Sequence, residues 1–244
     1  MKPSHIRYRF QLPAGTETAF DLHLDETTAE LHKTAHENPP DWAKLEFNQC
    51  RNCPLKPDAH PLCPVAHSLL DIVPQFEGLV SYDQLTVVVE TESRTVTART
   101  DAQTALSSLI GLVMASSGCP HTRFFRPMAR FHLPLASEQE TTHRAVTNWL
   151  LAQHFKQRRG EPADTGLDGL VAVYEQLQTV NAALTARLRA AGRTDSTLNA
   201  VVLLDLFAMI VPAAIDDSLA QIQGLLEPFL DQSVAAANEH TCLA

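Results

Sequence analysis

At 244 residues with a formal net charge of -9, the chain is long enough to bury its own core and too acidic for a general nucleic-acid binder. No stretch reaches the ~18 apolar residues of a membrane span, and the amino-terminal MKPSHIRYRFQLPAG lacks the continuous apolar run of a secretory signal. The expectation is a cytoplasmic protein with neither membrane nor nucleic acid as partner. Five cysteines in a reducing compartment then point to metal binding or thiol reactivity rather than disulfides.

The chain opens as a β-hairpin. HIRYRFQL alternates, with Ile6, Tyr8 and Phe10 on one face; PAGT turns; TAFDLHL returns with Phe20, Leu22 and Leu24. ETTAELHKTAHENPP is a polar connection, and LEFNQC is a short strand or turn leading into a cysteine loop. Cys63 caps a helix with Pro64 in its first position, and VAHSLLDIV extends it to Pro74. LTVVVET and RTVTART make a second hairpin around Glu92 and Ser93. Thr100 or Asp101 caps the next helix, DAQTALSSLIGLVMASS, whose apolar residues surround it as in a buried central helix, with Gly118 just past its end.

From Ser137 onward the pattern is helical. Ser137 and Glu140 form a capping box for SEQETTHRAVTNWLLAQHFKQRR. A second helix spaces Leu167, Leu170, Val171, Tyr174, Leu177, Asn181, Leu184 and Leu188 by threes and fours. A third runs from Thr197 to Ile210 and a fourth from Ile215 to Leu230, separated by Pro212. Asp205 lies among apolar neighbours and needs a partner, expected to be an arginine of the central segment. The fold class is α+β: a mixed part (1–136) with two hairpins and the cysteine loop, packed on a helical bundle (137–232) with which it shares a core or from which it is separate, and a tail (233–244).

Cys50-x-x-Cys53 has the spacing at which two thiolates meet one metal across a tight turn, and Cys63 and Cys119 complete a set of four soft ligands. Such a set suits zinc or an iron–sulfur cluster. Cys53, Cys63 and Cys119 each precede proline, as ligating cysteines of ferredoxin loops do, although zinc loops use proline too. His60 and His67 are reserve ligands should Cys119 not be the fourth, and Cys242 is incidental.

The segment CPHTRFFRPMARFHLP carries Arg123, Arg126 and Arg130 with His121 and His132, inside a stretch, 102–137, without Asp or Glu. Arginine forks recognise carboxylate and phosphate, so the segment reads as a pocket for a small anionic ligand beside the metal site. The competing reading pairs these arginines with carboxylates such as Asp71, Glu77 or Asp83. A nucleophilic pair of Cys119 with His121 or His132 is a further alternative. The chain contains no P-loop, dinucleotide fingerprint, HExxH or GxSxG.

LEFNQCRNCPL, LCPVA and SSGCPHTRFFRPMARFHLPLA together resemble an uncharacterised bacterial protein family, over most of the chain. The resemblance implies no activity and adds no catalytic residue. The leading expectation is a four-cysteine zinc site supporting an Arg/His-lined anion pocket. Its alternatives are a [4Fe–4S] redox or sensor protein and a metal-free helical scaffold that works through a protein partner or a second copy of the chain.

Overall fold

The computed structural model describes residues 4–13, 15–192 and 195–230. Both expected hairpins form: β1 (Ser4–Gln11) with β2 (Glu17–Leu24), and β3 (Gln84–Thr91) with β4 (Thr95–Asp101). They join into one antiparallel sheet of order β2-β1-β3-β4, with Tyr8 opposite Val89 and Phe10 opposite Val87. The period-two pattern makes one face apolar, and Ile6, Tyr8, Phe10, Leu22, Leu24, Leu85, Val87 and Val89 are buried on it. The other face carries charge, with Arg9 Nε donating to Glu90 at 3.2 Å.

The central helix, α2 (Ala102–Ser116), begins where the Asp101 carboxylate accepts from Thr104 N–H at 2.9 Å. Leu106, Leu109 and Ile110 join the sheet face in one core. Gly118 follows in the left-handed region at φ 83°, as its position past the helix end predicts. The helix at Cys63 is shorter than expected. α1 spans only Pro64–Ser68, and Pro74 opens a separate 3-10 turn, Val73–Phe76, instead of ending a longer helix.

A short helix, α3 (Arg126–Arg130), lies within the arginine segment. α4 (Glu138–Arg158) starts at the complete Ser137–Glu140 capping box, and α5 (Asp168–Ala190) follows. The two expected final helices are one, α6 (Asp195–Leu230), which continues through position 212. An interior proline costs about 3 kcal/mol. Burial of Ala200, Val201 and Ala208 before it and of Ile222 after it holds both halves against the protein. Asp205 on α6 accepts from Asn181 Nδ2 at 3.4 Å, not from an arginine of the central segment.

Val180, Leu184 and Leu188 of α5 and Val201 of α6 belong to the same core cluster as Tyr8, Phe76 and Leu109. α6 packs against both α2 and α5, and α5 reaches the loops that carry the cysteines through Gln176 and Arg187. Among the described residues, no helix is long and apolar enough to cross a membrane.

Candidate functional site

Cys50, Cys53, Cys63 and Cys119 line a single cavity of about 20 Å³, together with His121 and Arg187 of α5. All four thiols are free. Cys53 N–H donates to Cys50 O at 3.0 Å, closing the CxxC turn. Cys63 N–H donates to Ala43 O at 2.9 Å and Leu45 N–H to Pro61 O at 2.9 Å, which ties the segment before α1 to the segment before Cys50. Cys119 is delivered by the end of α2 and the left-handed turn at Gly118. His121 then reaches back, its Nε2 2.8 Å from Asn52 O, and Asn52 Nδ2 donates to Gln176 Oε1 of α5 at 2.7 Å.

The site is electrostatically demanding. Burial, then the charges of Cys63, Cys119 and Cys53, push the Cys50 thiol up to about 12, with Arg187 opposing. Burial also raises Cys119, against backbone hydrogen bonds from His121 and Thr122 that favour its thiolate. Arg187 is 2% exposed. Its Nη1 donates to Trp42 O and Lys44 O at 2.5 Å each and its Nη2 to Leu45 O at 3.3 Å, while the guanidinium carbon lies 5.8 Å from the Phe47 ring centre. Burial lowers its pKa, and the negative charge available at Cys63, Cys50 and Cys53 opposes that. Lys33 is a second cation within electrostatic reach, of Cys63 and Cys119.

Among the described residues, no group of three or more His, Cys, Asp or Glu is gathered to hold a single metal ion. Beside the four cysteines, the wall of this small cavity includes the apolar side chains of Leu45, Val65, Val180 and Leu184. Neither reserve histidine lines the cavity: His60 is exposed, and His67 Nε2 lies 3.1 Å from Thr34 O. Cys242 and the expected tail, 233–244, lie outside the described residues.

The expected arginine pocket is not assembled. None of Arg123, Arg126 and Arg130 lines this cavity or the larger one described below. Arg123 is exposed and lies over the Phe124 ring. Arg126 pairs with Glu30, not with Asp71, Glu77 or Asp83. Arg130 Nε is buried without a hydrogen-bond partner among the described residues. The two histidines part company, His121 at the cysteines and His132 in a different cavity.

That second cavity has a volume of about 440 Å³ and lies among α2, α3, α4, α5 and α6. Its wall is mainly apolar, with Arg144, Tyr174, Asn181 and His132 as polar points. Tyr8 Oη lies 2.5 Å from His132 Nε2 and 2.9 Å from Ser108 Oγ, which accepts from Leu135 N–H at 3.0 Å. The consistent assignment has Ser108 donating to Tyr8 and Tyr8 to His132, leaving the imidazole proton on Nδ1. Burial first, then Arg144, pushes His132 down to about 3, so it is neutral at pH 7.

Arg187 was legible in principle, as a lone cation in the stripe Val180, Leu184, Leu188 of an otherwise apolar helix face. Tyr8 and Tyr174 were legible only as members of buried faces, and Lys33, Arg144 and Ser108 carry no such local signal; their positions at the sites depend on tertiary packing.

The chain belongs to the family described as a domain of unknown function, DUF6901, which matches it over residues 6–227. No curated protein and no solved structure matches the chain.

Proposed function

We propose that this member of the DUF6901 family is a cytoplasmic [4Fe–4S] protein acting in one-electron transfer or redox sensing, with Cys50, Cys53, Cys63 and Cys119 as the four ligands. The observation that carries this reading is that four free cysteines, drawn from three separate loops, line one small cavity. Cys53, Cys63 and Cys119 each precede proline, as ligating cysteines of ferredoxin-type loops do.

The charges support the same reading. Four thiolates in one buried cavity repel one another, and a core of iron cations offsets that repulsion. A thiolate-bound cluster keeps net negative charge, for which Arg187 and Lys33 are the nearby counter-charges. Backbone hydrogen bonds from His121 and Thr122 to Cys119 are of the kind that raises a cluster's potential. His121, bonded to Asn52, is a positioning residue rather than a ligand.

Anaerobic reconstitution with ferrous iron and sulfide tests the assignment. The intact chain and Cys242→Ser are expected to gain the broad visible absorption of a cubane, while Cys63→Ser and Cys119→Ser lose it. A protein that takes up a single zinc ion and no iron overturns the cluster and makes the cysteines a structural clamp.

A further inference from the structure

The 440 Å³ cavity is separate from the cysteine site, and its polar groups are incompletely used. Arg144 Nη2 donates to Met128 O at 2.7 Å and to Phe131 O at 3.0 Å. An arginine has five N–H donors, and among the described residues no carboxylate pairs with this one. Glu140 acts on Arg144 only through space, because its carboxylate is engaged by Ser137 N–H and the Ser137 hydroxyl. Tyr174 is 3% exposed and lines the same cavity, within electrostatic reach of Arg144. Asn181 is 1% exposed, and its Oδ1 is buried without a partner among the described residues. Buried polar groups are ordinarily satisfied; Asn181 Oδ1 is not, and Arg144 and Tyr174 line the same cavity.

We propose that this cavity binds an apolar monocarboxylic acid, its carboxylate on the Arg144 guanidinium and the Tyr174 hydroxyl and its apolar body against the core-facing sides of α2 and α6. A volume of about 440 Å³ is that of a small-molecule site, and half of its lining residues are Leu, Ala or Met. A half-buried guanidinium without a carboxylate partner selects an anionic head, and its planar fork fits a carboxylate. Tyr174 donates to the same head. Neutral His132 brings no second positive charge, so one anionic group suffices. The anion-binding role expected of Arg123, Arg126 and Arg130 thus passes to an arginine of α4.

The test is calorimetric titration of the full chain with octanoate, decanoate and dodecanoate, and with the matching primary alcohols. Each added methylene is expected to tighten carboxylate binding about fourfold until the cavity is filled. Arg144→Gln is expected to weaken the carboxylates at least tenfold and leave the alcohols unchanged. Met128→Trp, which narrows the cavity, is expected to weaken acids and alcohols alike. Failure of any acid to bind the unaltered protein overturns the proposal, as does equal binding of acids and alcohols. Should Arg144→Gln fail to fold, the acid–alcohol difference in the unaltered chain and the Met128→Trp result still decide it. None of these readouts involves the cysteines, so the proposal stands or falls apart from the cluster.

Discussion

His121 Nε2 lies 2.8 Å from the backbone oxygen of Asn52, the residue just before Cys53. That bond links the segment after Cys119 to the CxxC turn, which are 69 residues apart. Because Asn52 also bonds Gln176, the turn is held from two sides.

His121→Ala is therefore expected to leave all four cysteines present while loosening their arrangement. Removing such an outer partner typically costs 10–100-fold in metal affinity. The check is the rate of metal loss to a chelator, with His121→Gln, which can still donate to Asn52 O, recovering part of the difference. Equal rates for all three proteins would remove His121 from the site.

Arg187 satisfies three backbone carbonyls of the loop between the first connection and Cys50. Arg187→Met removes three donated hydrogen bonds from buried carbonyls, of which Lys44 O keeps a second donor in Phe47 N–H, and a loss of about 2–3 kcal/mol is expected. Arg187→Lys restores the charge but not the fork, so it should recover the electrostatic support of the site while remaining about 1–2 kcal/mol less stable. Urea midpoints measure both.

Gly118 sits at φ 83°, where a side chain is strained. A Cβ there meets only Glu30 and Lys33 side-chain atoms at 3.8–3.9 Å, which is ordinary contact. Gly118→Ala should thus cost about 1–2 kcal/mol through backbone conformation alone. A much larger loss in thermal unfolding would mean that Cys119 moves as well.

His132 supplies a pH dependence. Its pKa falls from 6.5 to about 3 on folding, so between those values the unfolded chain holds a proton that the folded chain does not. Its stabilising contribution is whole above pH 6.5 and is lost as pH falls toward 3, by about 1 kcal/mol per pH unit. Urea unfolding at pH 7 and pH 5 should show a smaller drop for His132→Gln than for the unaltered chain.

Much of the fold was legible because local signals agree with the tertiary structure. The alternation of Ile6, Tyr8 and Phe10, the Asp101 and Ser137 caps, and Gly118 each mark an element end or a buried face. Pro212 misled because local propensity is outweighed by the burial of Ala208 and Ile222 on either side. At the site, the four cysteines were legible as a set, and the structure brings them to one cavity. The arginine segment was not, because a lack of nearby acids in sequence says nothing of Glu30, which meets Arg126 from 96 residues away. Arg144 was hidden in a polar helix pattern that reads as solvent-exposed.

The most direct measurement is iron, acid-labile sulfide and zinc content on protein purified without oxygen, alongside its visible spectrum. The account predicts a brown protein with about four irons and four sulfides per chain. A colourless protein carrying one zinc ion, or no metal at all, would contradict it.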